Sequence, residues 1–280
     1  RRVGVIGCGQ FAFASLGAML EMYAPARFAR SYDINKAAQQ SFEKFFGITK
    51  TTADVADICS DESIDTVYVV SNHATHAGYA VQLIKAGKVA YVEKPLAASW
   101  KQLSELTHLV GADFRKIYCG YNRPFSAAIG QLKEMCTAAE APLTLNFYIV
   151  GHFLGPDHWY RNPSEGGRVC GNMGHWLDLA VHILAWHKIP DQWAITVVAS
   201  DEKIKDENVS IVMVSERGDI VTLTLTSRSE PFEGVNESVM LQWGDLNAKI
   251  DDFRDMKVWK NDFYRKYSYW PKDVGHRRAI

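Results

Sequence analysis

The sequence predicts two domains: an α/β domain with a doubly wound parallel sheet over residues 1–123, then an α+β domain with a largely antiparallel, open-faced sheet over 124–280. Three observations carry this. To about residue 120, short β-rich runs alternate with longer helical patterns, which requires right-handed crossovers between parallel strands. The stretch "TVYVV" (66–70) is a continuous apolar run, as expected of a strand buried on both faces. Beyond residue 140 strands follow strands and alternate apolar with polar residues, the pattern of a sheet with two unequal faces.

The elements follow in order. Arg1-Arg2 lead into a strand over 3–6, then a glycine turn and a helix through about Tyr23. A second strand ends near Asp33, and 35–46 is helical with Phe42, Phe45 and Phe46 on its apolar side. After the strand at 66–70 comes a helix over 78–86, stopped at Gly87. Strands at 89–92 and 117–119 flank a helix over about 99–109, and another helix covers about 127–137. The second half holds the strands "LTLNFYIV", "AITVVAS", "VSIVMVS", "IVTLTLTS", "SVMLQW" and "NAKIDDF", with a helix between the first two. Arg217-Gly218-Asp219 and Gly244-Asp245 are turn signals.

Composition excludes several classes of partner. A formal net charge of −1 gives no general drive toward nucleic acid or anionic membrane. No apolar run reaches the roughly 18–20 residues of a membrane span, and none reads as a secretory leader. Five scattered cysteines with no C-x-x-C pair read as reduced thiols of a cytoplasmic protein, with no structural metal. The chain opens at Arg1 without a methionine and reads as a trimmed version of a longer protein.

The chemistry starts in "VGVIGCGQFA", where Gly7, Gly9 and Ala12 form G-x-G-x-x-A between a strand and a helix. Gly7 makes the tight turn, Gly9 lets a pyrophosphate approach, and Ala12 lets the helix pack; Gln10 and Phe11 complete the Rossmann phosphate loop. Asp33 ends the next strand 21 residues after Ala12, close to the spacing of a ribose-binding acid. A carboxylate there accepts from both ribose hydroxyls and repels a 2′-phosphate, which favours NAD over NADP, with Lys36 the one nearby cation that argues the other way. In "SNHATH", Ser71, Asn72 and His73 follow the most apolar strand and are placed to line the nicotinamide side; His76 either joins them or simply packs. In "YVEKPLA", Glu93 and Pro95 hold Lys94 at a strand end, oriented toward the cofactor ribose and a substrate hydroxyl; alone, this is also an ordinary turn.

The stretches "GCGQFA", "HAGYAVQLIKAGKVAYVEKPLA" and "GYNRPF" (120–125), in this order and spacing, resemble the Gfo/Idh/MocA family of NAD(P)-dependent oxidoreductases over nearly the whole chain. The resemblance implies that Lys94 organises nicotinamide and substrate, and that Asn122 and Arg123 bind substrate at the active-site mouth. It also matches Asp178 and His182 of "DLAVH" to a family pair of aspartate and histidine four residues apart. The chain departs from the family in "GNMGH", where Asn172 and Met173 interrupt a glycine-rich lead-in, and in S-N-H where T-P-N is common. The ending "GHRRAI" falls where the family continues into further helix, an expectation of truncation.

On a helix, His175, Asp178 and His182 stand at i, i+3 and i+7 on one face. They read as a metal site, a hydrogen-bonded structural patch, or a proton-handling site. Along a straight helix they span about 10 Å at 1.5 Å per residue, too far to converge easily on one metal. Proton handling is the favoured reading: alcohol oxidation needs a base near neutral pH, and histidine starts closest. That assigns His182 as general base, Asp178 as a partner to substrate or imidazole, Lys94 as donor to the alcohol oxygen, and His175 as a substrate contact or a support for the loop before the helix. The loop "GHFLGPDHWYRNPSEGGRVC" (151–170) suits a substrate-facing segment, with Tyr160 and Arg161 as hands for a hydroxylated or anionic ligand; its plainer reading is a surface loop with a packed Trp159-Tyr160 pair.

The expected activity is NAD-dependent hydride transfer to or from a sugar, polyol or nucleotide-linked sugar, a substrate class the resemblance implies. The competing expectations are a redox-neutral, NAD-dependent glycosidase and a non-catalytic NAD-binding sensor. The open sheet face calls for cover, so a homodimer or homotetramer through the C-terminal sheet is expected.

Overall fold

The computed structural model describes residues 2–23, 27–50, 52–111, 113–136 and 141–280, so Arg1 and Thr137 lie outside the described residues. The chain divides into two compact units. Residues 1–121, 162–171 and 280 make the first, and 122–161 with 172–279 make the second. The division thus falls at Tyr121/Asn122, and ten residues of the long loop belong with the first unit.

In the first unit β1 (Arg2–Ile6) leads into a π-helical turn (Ala12–Gly17) and α1 (Ala18–Tyr23), then β2 (Arg27–Tyr32) and α2 (Lys36–Phe46). Asn35 caps α2 by accepting from the Ala37 and Ala38 amides. Phe42 is buried in the core, but Phe45 is 70% exposed, because the helix turns it beyond the stripe facing the sheet. The next helix, α3 (Val55–Ser60), has no counterpart in the sequence expectations; Asp54 and Asp57 close a capping box on it. After β3 (Thr66–Val69), α4 (His73–Lys85) starts five residues before the expected position and so takes in most of "SNHATH". β4 (Val89–Val92), α5 (Trp100–Val110) and β5 (Ile117–Cys119) complete the unit. Among the described residues the sheet is parallel, in the order β2-β1-β3-β4-β5. The order reverses between β1 and β3, the place where such sheets open a crevice at their carboxyl ends.

The second unit runs α6 (Ala127–Met135), β6 (Leu143–Val150), α7 (Gly174–Leu184), β7 (Trp193–Ala199), β8 (Val209–Ser215) and β9 (Ile220–Thr226). It continues as β10 (Asn236–Trp243), β11 (Leu246–Asp251), β12 (Asp255–Lys260), β13 (Phe263–Ser268) and a short α8 (His276–Ala279). The sheet order is β13-β12-β11-β10-β6-β9-β8-β7, antiparallel except for the β6–β9 pair. β12 and β13 were not expected: β12 buries only Met256 and Val258 between charges, and β13 is an exposed edge strand. One face of the sheet buries Leu145, Phe147, Val239, Leu241, Leu223 and Ile250, and α7 lays Trp176, Leu179 and Ile183 in the same core. The other face presents Tyr148, Met240 and Trp259, each at least 40% exposed. Among the described residues no helix is long and apolar enough to cross a membrane.

Candidate active site

The glycine turn is held between the ends of β2 and β3. Gly7 donates to Tyr32 O at 2.8 Å, and Val70 donates to Ile6 O at 2.8 Å. Gly7 has φ of 99°, and a Cβ there would stand 2.6 Å from the Val70 backbone, so only glycine fits. At Gly9 a Cβ would meet nothing within 4 Å, which leaves open space over the turn. Gln10 is exposed, Phe11 is half-buried, and Ala12 is fully buried under the helix. Asp33 is anchored from both sides: Oδ2 accepts from the Cys8 amide and Oδ1 from the Asn35 amide, each at 2.7 Å. Each carboxylate oxygen keeps a further acceptor position for a ligand hydroxyl. Lys36 does not pair with Asp33 and is drawn instead to Gln39 Oε1 at 3.0 Å and to the face of Tyr32. Open room at Gly9, a strained turn at Gly7 and a fixed half-exposed carboxylate fit a dinucleotide.

The 71–76 stretch is tied into the protein itself. Asn72 Nδ2 donates to Glu165 Oε1 at 2.7 Å, and the Ala74 amide donates to Glu165 Oε2 at 3.0 Å. His73 Nδ1 lies 3.1 Å from Glu165 O; a carbonyl only accepts, so Nδ1 carries the proton. Burial, with the Lys94 charge second, pushes the His73 pKa down to about 3, so the ring is neutral. Ser71 shares a hydrogen bond with Thr75 at 2.8 Å. His76 bridges Pro95 O at 2.8 Å and Ser71 O at 3.0 Å. Nothing local in the sequence marks Glu165, whose partners lie more than 90 residues away.

Lys94 leaves the end of β4 and donates Nζ–H to Gly171 O at 2.9 Å. Its amide donates to the Glu93 carboxylate at 3.0 Å. Burial pushes the Glu93 pKa up to about 7 against the Lys94 charge, which pulls it down. A Cβ at Gly120 would lie 2.5 Å from Glu93 Oε1, so the glycine of "GYNRPF" makes room for this carboxylate.

In the second unit the residues expected at the substrate have partners within the protein. Arg123 is buried and forks onto Glu237, at 2.6 and 3.0 Å, beneath the Trp176 ring, whose Nε1 donates to the same carboxylate at 2.6 Å. Asn122, 1% exposed, donates to Val274 O at 2.8 Å and accepts from Arg123. Both side chains are engaged by internal partners: Arg123 and Trp176 of α7 meet on Glu237 of β10, and Asn122 ties to Val274. Arg161 is likewise engaged by Glu207, with Asp206 beside it and Leu154 O at 2.8 Å. Two carboxylates there oppose an anionic ligand. Tyr160 packs edge-on against Trp159 with centroids 4.3 Å apart, the plainer of the two readings of that loop.

On α7, His175 is buried with its ring edge-on to Trp176. Asp178 and His182 are half-buried, and among the described residues neither forms a hydrogen bond or ion pair, with each other or elsewhere. Burial pushes the Asp178 pKa up to about 6. It pulls that of His182 down, with the Lys133 charge adding to the effect. A half-buried carboxyl and a neutral imidazole with unspent hydrogen-bonding capacity are able to exchange protons with a ligand. Among the described residues no group of three His, Cys, Asp or Glu is gathered to hold a metal.

Known proteins resemble this chain in sequence and fold. Residues 1–121 match the model of an oxidoreductase family with an NAD-binding Rossmann fold, Gfo/Idh/MocA. The chain is 28% identical over 182 residues to inositol 2-dehydrogenase 3 of Saccharopolyspora erythraea, covering 65% of this chain and 51% of the relative. It is 26% identical over 255 residues to D-xylose 1-dehydrogenase (NADP(+)) of Hypocrea jecorina, covering 80% and 63%. The match to relatives such as the first spans about half of their length. Among solved structures, a dehydrogenase (MviM) from Clostridium difficile superposes with a TM-score of 0.77 at 17% identity, covering 99% of this chain and 87% of that one. Levoglucosan dehydrogenase in complex with NADH superposes at 0.80 and 18% identity, covering 98% and 82%. At such identities the structural likeness is one of fold.

Proposed function

We propose that this chain, whose residues 1–121 match the Gfo/Idh/MocA oxidoreductase family model, transfers a hydride between NAD and a secondary alcohol of a sugar, polyol or nucleotide-linked sugar. One observation carries the reading: the open glycine turn, Asp33 and Lys94 all sit at the carboxyl ends of strands in one parallel sheet. Relatives named for inositol and D-xylose dehydrogenation support the substrate class.

When bound, NAD supplies the hydride-accepting ring. Gly7, Gly9 and the helix start that follows them hold the pyrophosphate through backbone N–H groups. Asp33 accepts from the adenosine ribose hydroxyls, its carboxylate repels a 2′-phosphate, and Lys36 bonds Gln39; this favours NAD over NADP. Lys94 donates to the alcohol oxygen and stabilises the negative charge that grows there as the hydroxyl proton leaves.

The proton goes to α7. His182, kept neutral by burial, is the base, and Asp178 accepts from a neighbouring substrate hydroxyl; no hydrogen bond between them supports a role for Asp178 in setting imidazole basicity. His175, on the same helix, is the competing base.

The exposed Tyr148, Met240 and Trp259 on the open sheet face support a homo-oligomer through that face, and five free cysteines support a reducing compartment. The test follows nicotinamide absorbance with NAD or NADP against sugars, polyols and nucleotide sugars, using wild type, Lys94→Met, His175→Asn and His182→Asn. NADH formed with one substrate class and abolished in Lys94→Met is the expected result. Turnover that survives Lys94→Met sinks the assignment of Lys94. Loss of turnover in His175→Asn with retention in His182→Asn moves the base.

A further inference from the structure

Segment 162–171 is fastened to the nucleotide-binding unit at two points. At one, Glu165, 6% exposed, seats its carboxylate on Asn72 Nδ2 and the Ala74 amide, and its carbonyl accepts from His73. α4 needs this: Asn72 occupies its cap position without making a cap bond of its own, and its first turn holds no acidic residue. At the other, the Gly171 carbonyl takes the Lys94 ammonium. Between them Arg168 is buried, at 1% exposure. Gly171 follows Glu165 by six residues, so a short stretch of chain joins the two points.

We propose that Glu165 is a positioning residue for Lys94: by capping α4 it holds 162–171 in place, and through the Gly171 carbonyl it fixes where the Lys94 ammonium stands. The same carboxylate fixes Asn72 and His73 at the end of β3, so one side chain sets two sides of the cofactor crevice. The proposal rests on the oxidoreductase reading only for the meaning of Lys94; the contacts themselves do not depend on it.

The test uses the full chain as wild type, Glu165→Ala and Glu165→Gln, well below their melting temperatures. Acetylation of Lys94 is timed by mass spectrometry relative to exposed Lys101, together with native tryptic cleavage after Arg168 and NADH binding by fluorescence. Glu165→Ala should speed both Lys94 acetylation and Arg168 cleavage about tenfold through local opening. Glu165→Gln keeps one acceptor for the Ala74 amide and loses the other, and should leave both about two- to threefold above wild type. A role confined to stability would lower the melting temperature and leave the Lys94-to-Lys101 ratio unchanged; that result overturns the proposal. Should Glu165→Ala not fold, Glu165→Gln decides: a ratio raised about twofold supports the proposal and an unchanged one overturns it. Failure of wild type to bind NADH would refute the oxidoreductase reading alone, while the labelling ratio still decides for Glu165.

Discussion

Replacing Arg123 with methionine separates a structural arginine from a substrate-binding one. The guanidinium makes two hydrogen bonds to Glu237, which is itself 0% exposed, and lies 4.8 Å from the Trp176 ring. Removing one partner of a buried pair costs about 3–5 kcal/mol, because the other charge remains buried without compensation. Here the loss is moderated. Trp176 Nε1 still donates to Glu237 at 2.6 Å, and Lys272 stands 3.6 Å from its other oxygen. We expect about 3 kcal/mol, or a fall of about 10 °C in the melting of the second unit. In the double variant Arg123→Met/Glu237→Met the buried charge is gone and mainly the Trp176 donor is left unpaired, so the loss should shrink to about 1–2 kcal/mol. Calorimetry and urea unfolding read the stability, and NADH titration reads the first unit. The expected outcome is a large loss of stability with NADH affinity unchanged. Wild-type melting combined with a raised KM would refute the argument and return Arg123 to the substrate.

Asp33→Ala should weaken NADH binding about tenfold and narrow the preference over NADPH, by loss of an acceptor to the ribose hydroxyls; equal binding by wild type and variant in a fluorescence titration would count against the cofactor site. Asp178 has its folded pKa raised from 3.8 to about 6 by burial. The unfolded chain therefore loses that proton first, and the group costs stability as pH rises through this window. Asp178→Asn should then melt above wild type at pH above about 6 and converge with it below about pH 4, read by thermal melts across pH. If ionised Asp178 is needed for turnover, the acid limb of the wild-type rate profile near pH 6 should flatten in the variant. Met240→Lys, on the exposed face of the second sheet, should shift the chain to a smaller species in sedimentation equilibrium; an unchanged mass would move the interface elsewhere.

The parts readable in the sequence are those whose physics is local. The turn at Gly7, the acid at Asp33 and the lysine at 94 each sit at a strand end, and the strands announce themselves as apolar runs. α3 was readable in principle, since Asp54 and Asp57 stand at capping-box spacing, but its aspartate takes the place of the usual glutamate or glutamine. β12 was masked because only Met256 and Val258 interrupt its charges. What the sequence hides is pairing over distance. Arg123 finds Glu237 across 114 residues and Glu165 finds Asn72 across 93, and no spacing rule links either pair. An arginine beside a motif looks like a substrate hand until its carboxylate is known. Asp178 and His182 present the opposite case: half-buried on a helix, they could as well have been satisfied core groups. What sets them apart is that among the described residues neither forms a hydrogen bond or ion pair, while Asn122, Arg123 and Arg161 each do. A group that desolvation has made costly and no neighbour compensates is retained against stability, and a ligand that completes its hydrogen bonds is the simplest compensation.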